Sequence, residues 1–293
     1  MKPSPFTYHR PTSVEEAVQL LAELGDRGKV LAGGQSLVPL MSMRLAAPAH
    51  LVDINHLREL DSVEVTREHV RVGALARHSR VERDEAAHDA VPLLRQALRN
   101  VAHPTIRNRG TTVGSLVHAD PAAEMPAVLA ILDGVVELHG VTGTREVAAT
   151  DFFVGPMESA LRPGELAVAA RFPRPAAGTG SAFVELARRH GDYAMAGLAA
   201  LVRTDAEHAI TSARVALISV GPGPVPVDLS AAVTDSGGRF DMSRVHDLVD
   251  AQIDPEDDIH ATADYRRHLA HVLTERALRG AHEQSTRGDR RAA

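Results

Sequence analysis

Two adjacent glycines, Gly33 and Gly34, interrupt an apolar run and constrain the fold of this chain more than any other feature. Val30 to Ala32 predicts a strand, and the stretch from Leu37 predicts a short helix. Paired glycines allow positive φ angles and a close backbone approach that any Cβ would block. The free N–H groups of such a turn bind anions, typically a phosphate or pyrophosphate. The alternative is an ordinary tight turn, because the fingerprint G-x-G-x-x-G is absent.

A second segment, residues 104–121, combines glycines, hydroxyl residues and carboxylates. Glycine and hydroxyl groups suit a phosphate, and a nearby carboxylate accepts hydrogen bonds from ribose hydroxyls. Two such segments that converge in space predict a dinucleotide site. The residues concerned are Gly110, Thr111, Thr112, Gly114, Ser115, Asp120 and Glu124.

Composition excludes several classes of function. The 293 residues carry a net charge of −6 with histidine neutral, so neither a nucleic acid nor an anionic membrane is expected as a partner. The sequence shows no apolar run of transmembrane length and no apolar core of a signal peptide, which predicts a cytoplasmic protein. With no cysteine, the chain has no thiolate ligands for an iron–sulfur cluster. The 16 histidines are scattered without H-E-x-x-H spacing, so we predict no metal site.

Hydrophobic periodicity predicts an α+β chain in three parts and a tail. Residues 1–56 form a β-α-β-like unit whose first helix starts at a capping box of Ser13 and Glu16. Residues 57–175 alternate strands and helices, with 104–121 expected to be mostly loop. Residues 179–283 predict a three-stranded antiparallel sheet backed by helices, the last being Thr262–His282. The polar, Arg-rich residues 284–293 are predicted to be disordered.

Further motifs connect these parts with a known family. They are Phe6-Thr7-Tyr8-His9-Arg10-Pro11, His50-Leu51-Val52-Asp53-Ile54, Leu161-Arg162-Pro163-Gly164-Glu165 and Gly191-Asp192-Tyr193. Together with the loop Ala32–Leu37 and the segment Arg107–Pro121, they resemble the FAD-binding medium subunit of the molybdenum hydroxylases. Within that family the resemblance is strongest to the flavoprotein subunits of aerobic carbon monoxide dehydrogenases, and it covers nearly the whole chain.

The resemblance implies a two-subdomain FAD-binding domain of the vanillyl-alcohol-oxidase-like (PCMH) type, followed by a C-terminal α+β domain. It implies FAD as the cofactor, with no catalytic side chain and no metal ligand in this chain. The residues expected to contact FAD are Leu31, Ala32, Gly33, Gly34, Gln35, Ser36, Leu37, His103, Ile106, Gly110, Thr111, Thr112, Gly114, Ser115, His118, Ala119, Asp120, Glu124, Leu161 and Tyr193.

By resemblance, the chain transfers electrons within a complex. A small subunit with two [2Fe-2S] clusters would pass electrons to the FAD, and an external acceptor would receive them. A large subunit would carry the molybdopterin, and the assembly would be a dimer of heterotrimers. The substrate and the acceptor stay open. The alternatives are a free-standing FAD oxidoreductase of the same fold and a flavin-free assembly module.

Two positions depart from the family pattern. Val113 stands where the family run Thr-Ile-Gly-Gly-Asn/Ser has a glycine, which adds bulk near the cofactor. Glu185 stands where the carbon monoxide dehydrogenase subunit has a lysine, and an anion there is expected to lower the flavin potential. For three of the expected contacts a structural role is the alternative: Tyr193 and Ile106 as core residues, and Asp120 as a helix N-cap.

Overall fold

The computed structural model describes residues 2–234 and 238–292, with side chains described as far as residue 286. The chain begins with a parallel sheet of three strands in the order β1-β3-β2. The strands are β1 (Thr7–His9), β2 (Gly28–Leu31) and β3 (His50–Asp53). A helix, α1 (Val14–Leu24), connects β1 and β2, and a short helix, α2 (Leu37–Ser42), follows β2.

Helix α1 forms as its sequence predicts, but its capping box is only half made. The Ser13 hydroxyl accepts a hydrogen bond from the Glu16 backbone N–H at 3.1 Å. The Glu16 carboxylate accepts from the backbone N–H and hydroxyl of Thr12 instead of from the Ser13 N–H. The cap therefore includes one more residue than predicted, and the helix still buries its apolar stripe.

A five-stranded antiparallel sheet forms the next layer, in the order β4-β5-β10-β6-β7. Between β7 and β10 in sequence, β8 and β9 form a small separate hairpin. The strands are β4 (Val63–Val65), β5 (His69–Gly73), β6 (Val135–Gly140), β7 (Gly143–Ala148), β8 (Phe153–Gly155), β9 (Glu158–Ser159) and β10 (Leu166–Pro173).

Seven helices lie within this part of the chain. They are α3 (His78–Arg83), α4 (Glu85–Ala90), α5 (Pro92–Leu98), α6 (Pro104–Arg107), α7 (Thr112–His118), α8 (Glu124–Ile131) and α9 (Ala149–Phe152). The prediction that 104–121 is mostly loop is wrong, because it contains α6 and α7. Both helices are too short to show a periodicity, and each begins at a favourable residue, Pro104 at the first turn of α6 and Thr111 as the side-chain cap of α7.

The C-terminal sheet has four strands, one more than predicted, in the order β11-β12-β13-β14. The three predicted strands form as β11 (Thr179–Ala187), β12 (Ala194–Thr204) and β13 (Ile210–Ile218). The additional strand is β14 (Val225–Asp228), which pairs with β13 after the Gly-Pro-rich turn. It contains Pro226, and a proline is compatible with a strand at the edge of a sheet.

Two helices complete this part, α10 (Met242–Asp250) and α11 (Ala263–Ala292). The tail predicted to be disordered begins inside α11, so its start at residue 284 is wrong. The side-chain oxygen of Gln284 accepts hydrogen bonds from the backbone N–H and hydroxyl of Ser181, and Ser285 is buried. Polar composition suggested disorder, but these residues dock on β11. The remaining part of the predicted tail, 287–293, lies outside the residues whose side chains are described.

The C-terminal sheet packs on both faces. Residues alternate along a strand, so Ala199 of β12 and Ala216 of β13 join the main core with α8, while Leu198 and Leu217 face a second core under α10 and α11. Helix α8 is buried along nearly its whole length as a result. Among the described residues, no helix is long and apolar enough to cross a membrane.

Candidate cofactor-binding site

A cavity of about 710 Å³ lies where the two glycine segments meet. Its volume falls within the range of ligand pockets, about 300–1,000 Å³. Most of the residues predicted to contact FAD line it: Ala32, Gly33, Gly34, Gln35, Ser36, Leu37, Ile106, Gly110, Thr111, Gly114, Ser115, His118, Asp120, Glu124, Leu161 and Tyr193. The sequence thus brings two separate motifs to one cavity, as predicted.

Four of the predicted contacts, Leu31, His103, Thr112 and Ala119, do not line the cavity. Leu31 is the last residue of β2, and His103 is the N-cap residue of α6. Thr112 is fully buried, with its hydroxyl 3.3 Å from Nδ1 of His78. Ala119 ends α7 in a left-handed conformation. Thr112 and Ala119 are buried next to wall residues, whereas Leu31 is half-buried and His103 is exposed.

The first loop leaves several polar groups open. Gly34 has φ 70°, a conformation that favours glycine, and the chain then turns into α2. The Gln35 side chain folds back and donates to the Gly33 carbonyl at 2.9 Å. Ser36 precedes α2 but its hydroxyl does not cap it, so the first N–H groups of α2 receive no side-chain partner.

The second segment uses most of its hydroxyl groups internally. The Thr111 hydroxyl accepts from the Gly114 N–H at 3.2 Å and so caps α7. The segment also touches the first loop directly: a Cβ on Gly33 would lie 2.5 Å from the Arg109 carbonyl oxygen and 2.8 Å from Cα of Gly110. Only glycine at position 33 therefore allows the two segments to approach this closely.

Val113, where the sequence is expected to depart from the family pattern, lies inside helix α7. Val113 is 2% exposed and belongs to the main hydrophobic core, and it also borders the cavity. A helical position needs no positive φ, so the glycine is not required there by the backbone. The valine is thus accommodated by core packing.

Carboxyl groups cluster at the opposite end of the second segment. Burial, reinforced by the neighbouring charges of Glu185 and Asp120, raises the pKa of Glu124 to about 8. Burial raises the pKa of Glu185 to about 7, and its Oε2 atom has no hydrogen-bond partner among the described residues. Glu185 does not line the cavity itself. Glu124 is consequently protonated over much of the physiological pH range.

Tyr193 lies at the edge of the cavity and is 68% exposed, so the alternative of a core tyrosine is wrong. Its segment rests on His103, since a Cβ on Gly191 would lie 2.8 Å from the imidazole Cε1. Partial burial of the hydroxyl and the charges of Asp120 and Glu124 raise the pKa of Tyr193.

Asp120 and Ile106 occupy the cavity wall and not the structural positions that their local sequence also allows. Asp120 is not the N-cap of α8, because Ala123 occupies that position and the Asp120 carboxylate accepts from the Ala122 N–H instead. Ile106 is half-buried and lines the cavity, so it is not a core residue.

The cavity wall also includes residues that the sequence does not predict. They include Lys29, His78 and Asp192. Complete burial lowers the pKa of His78 to about 4, so its imidazole is neutral at physiological pH. Nothing in the sequence distinguishes it from the other histidines. The apolar wall residues carry core-like periodicity and give no separate signal; they include Leu40, Ile54, Val101, Val117 and Leu166.

The lining fits a flavin dinucleotide. Apolar walls suit a planar aromatic ring, and the two glycine segments present backbone groups to a pyrophosphate. Within the described part of the chain, the hydroxyls of Ser36, Ser115 and Tyr193 take no hydrogen-bond partner from the protein. These open groups can bind polar atoms of a ligand without breaking an existing bond.

Comparison with known families agrees with this geometry. The model of the family described as FAD binding domain in molybdopterin dehydrogenase matches residues 4–175. This chain belongs to that family. The CO dehydrogenase flavoprotein C-terminal domain matches residues 181–281. The predicted resemblance, the cofactor FAD and the assignment to oxidoreductase subunits are thereby confirmed.

Individual relatives of this FAD-binding chain cover nearly all of it. Subunit alpha of the 6-hydroxypseudooxynicotine dehydrogenase complex of Paenarthrobacter nicotinovorans is 37% identical over 95% of both chains. Caffeine dehydrogenase subunit beta of Pseudomonas sp. is 39% identical over 95% of both chains. A solved structure of carbon monoxide dehydrogenase from Hydrogenophaga pseudoflava matches with a TM-score of 0.92 and 36% identity, covering 97% of this chain and 99% of the other.

Proposed function

We propose that this chain is the FAD-binding electron-transfer subunit of a molybdenum hydroxylase complex. The observation that carries the proposal is the cavity at the junction of two glycine segments, lined by apolar walls and open hydroxyl groups. Relatives that match almost end to end are named as dehydrogenase subunits, which supports the same role. Bound FAD can exchange electrons singly or in pairs, and it supplies the redox chemistry of such a subunit.

The residues of the chain divide the work of holding the cofactor. The N–H groups after Gly33 and Gly34, with the Ser36 hydroxyl, would bind the pyrophosphate. The exposed Tyr193 ring and the turn at Leu161 would face the flavin ring, where an aromatic side chain can stack. The apolar walls exclude water, and Glu124 holds a proton on its carboxyl group near neutral pH.

The partners follow from what the chain lacks. With no cysteine, any thiolate-ligated cluster that supplies electrons must sit on another polypeptide. We infer a small subunit with [2Fe-2S] clusters and a large molybdopterin subunit, assembled as a dimer of heterotrimers in the cytoplasm. The external acceptor takes the electrons from the FAD.

The visible spectrum of the purified chain tests this proposal, with the chain expressed alone and together with its neighbouring genes. We expect flavin bands, FAD in the supernatant after denaturation, and additional iron–sulfur absorbance on co-expression. Flavin without a copurifying partner would favour the free-standing oxidoreductase. A colourless protein that does not take up FAD would favour the assembly module.

Two glycine variants sharpen the test. Gly34→Val places a β-branched residue at φ 70° and should abolish flavin binding. Gly280→Ala is the matched control, because its Cβ would meet Ala182 at an ordinary 3.5 Å in a helix far along the chain. Equal flavin content in both variants would contradict the assignment of the first loop.

A further inference from the structure

A network of hydrogen-bonded polar side chains, of which Asp53 is buried, joins the two glycine segments from outside the cavity. It runs from Tyr8 through Asp53 and Asn55 to Arg77, and none of these four residues lines the cavity. The Tyr8 hydroxyl donates to Asp53 Oδ2 at 2.5 Å. The other oxygen of Asp53 accepts from the backbone N–H of Asn55 at 2.9 Å and from its side-chain amide at 2.6 Å.

Asn55 connects this hydrogen-bonded network to the first loop. Its amide nitrogen donates to the Ala32 carbonyl at 2.9 Å, and its amide oxygen accepts from Nη2 of Arg77 at 2.6 Å. Only one orientation of the amide satisfies both neighbours, because a flip would place its NH2 against the guanidinium and its oxygen against a carbonyl. Asn55 is therefore fixed from two sides.

Arg77 connects the network to the second segment. Its Nη1 donates to the Arg109 carbonyl at 2.6 Å, and its backbone forms a β-bridge with Thr111. The guanidinium thus spans the two segments with two separate N–H groups, one toward Asn55 and one toward Arg109. A lysine has no second N–H in this fork geometry.

The charge states of Asp53 and Arg77 are consistent with a network that holds a fixed geometry. Asp53 is 8% exposed, and although burial would raise its pKa, hydrogen bonds from Tyr8 and Asn55 keep that pKa below its ordinary value. Burial and the nearby Arg109 charge lower the pKa of Arg77. In the described ranges no carboxylate forms an ion pair with Arg77, so its positive charge lies beside the junction of the segments without a directly paired anion.

We propose that Asn55 and Arg77 are positioning residues that hold the two glycine segments in register for the diphosphate of the ligand. They act through the backbone at Ala32, Arg109 and Thr111 and do not touch the ligand. This inference rests on the proposed FAD-binding function and adds the residues that set the spacing between the segments. Loss of either residue should weaken binding of ligands that contain the diphosphate, and leave binding of the bare flavin ring nearly unchanged.

The test measures binding of FAD, ADP and riboflavin to the flavin-free full chain by fluorescence and calorimetry. For Asn55→Ala and Arg77→Met we expect affinity for FAD and ADP to fall by about tenfold or more, since each variant removes hydrogen bonds that involve a charged group or its partner. Riboflavin, which lacks the diphosphate, should bind within about twofold of its wild-type affinity. A general loosening of the fold would reduce binding of all three ligands.

Three further variants separate fork geometry from charge and from folding. Arg77→Lys keeps the charge but not both hydrogen bonds, so it should recover only part of the FAD affinity. Tyr8→Phe removes a single hydroxyl at the end of the network furthest from the second segment. It should lower the affinity for FAD by about threefold or less. The double variant of Asn55 and Arg77 should bind FAD as tightly as the single variant that binds it less well, because both residues act in one network.

Arg80→Met is the matched control, because Arg80 lies on the helix that begins directly after Arg77 but pairs with Asp61 on the surface. It should bind all three ligands as the wild type does. If Asn55→Ala, Arg77→Met and Tyr8→Phe all bind FAD with wild-type affinity, this inference is wrong while the proposed function still stands. A wild-type chain that binds no FAD would overturn the proposed function and this inference with it.

Discussion

The two glycine segments share a composition but differ in how they use it. In the first, Ser36 leaves α2 without a side-chain cap and keeps its hydroxyl open to the cavity. In the second, Thr111 caps α7 and Thr112 is buried against His78, so these two hydroxyls bond within the protein and only that of Ser115 stays open to the cavity. A hydroxyl residue beside a glycine therefore indicates a loop. Only the structure shows whether that hydroxyl bonds within the protein or stays free for a ligand.

The largest effect is expected for Val113→Gly, which introduces the glycine that the resemblance leads us to expect in the second segment. Val113 is 2% exposed within a helix, so removing its side chain should lower the free energy of unfolding by about 2–4 kcal/mol. FAD affinity should not improve. Urea unfolding and FAD titration measure the two effects.

Val272→Gly is the control for that substitution, because Val272 lies in helix α11 and is 39% exposed. It should cost about 0.5–1 kcal/mol, because glycine has a lower helix propensity than valine and the lost side chain is only partly buried. A marked gain in FAD affinity in Val113→Gly would show instead that the valine obstructs the cofactor.

Gly33→Ala tests the contact between the segments. The new Cβ would lie 2.5 Å from the Arg109 carbonyl oxygen, so the segments must separate, at a cost of about 1–3 kcal/mol. We expect FAD affinity to fall by about tenfold or more, measured by flavin fluorescence. Gly280→Ala serves again as the control, and equal FAD affinity in the two variants would refute the close approach.

Glu124→Gln tests the acidic end of the second segment. Its pKa is about 8 in the folded chain against an ordinary 4.5, so the folded chain keeps a proton that the unfolded chain releases between these values. The free energy of unfolding therefore falls as pH rises through this window and is level above it. We expect the wild type to lose about 1–2 kcal/mol more than the variant, after a discount for screening by cavity water.

Urea unfolding at about pH 5 and about pH 9 measures this difference between wild type and variant. Glu207→Gln is the control, since Glu207 is exposed on a turn far from the cavity. The raised pKa would be disproved if Glu124→Gln and Glu207→Gln showed the same dependence of stability on pH.

The smallest effects come from a pair of hydroxyl deletions, one in each segment. Thr111→Ala removes the cap of α7 and should lower the free energy of unfolding by about 1 kcal/mol. Ser36→Ala removes no cap, so stability should stay within about 0.5 kcal/mol, while FAD affinity falls by about three- to tenfold. Thermal unfolding and FAD titration on both variants decide whether the two hydroxyls really differ in role.

Much of the fold could be predicted from the sequence where a pattern repeats. The helix from Val14 and the long strands of the C-terminal sheet have enough residues to show a period. Helices α6 and α7 contain too few turns to show one, and Pro226 weakens the strand pattern of β14. Length and edge position, which no local pattern reports, decided these elements.

The cofactor site could be predicted only where a motif marks it. The glycine segments carry such motifs, but His78 does not, and neither does the contact of Asn55 with Arg77. His78 and Arg77 have no distinctive neighbours in sequence, and the motif His50–Ile54 beside Asn55 does not report that its partner lies on another element. Leu31 and Thr112 do not line the cavity as predicted, because a motif gives order along the chain and not direction in space.

Helix α8 packs between the two parts of the chain that different family models match, and so joins them into one folded unit. Its residues from Met125 to Ile131 are buried between the FAD-binding part and strands β12 and β13, and its first residue, Glu124, reaches the cavity. A fragment cut near residue 175 would leave that helix bare on one side and prone to aggregation. A break in the chain at this boundary, where one family match ends and the next begins, would therefore expose part of the main core.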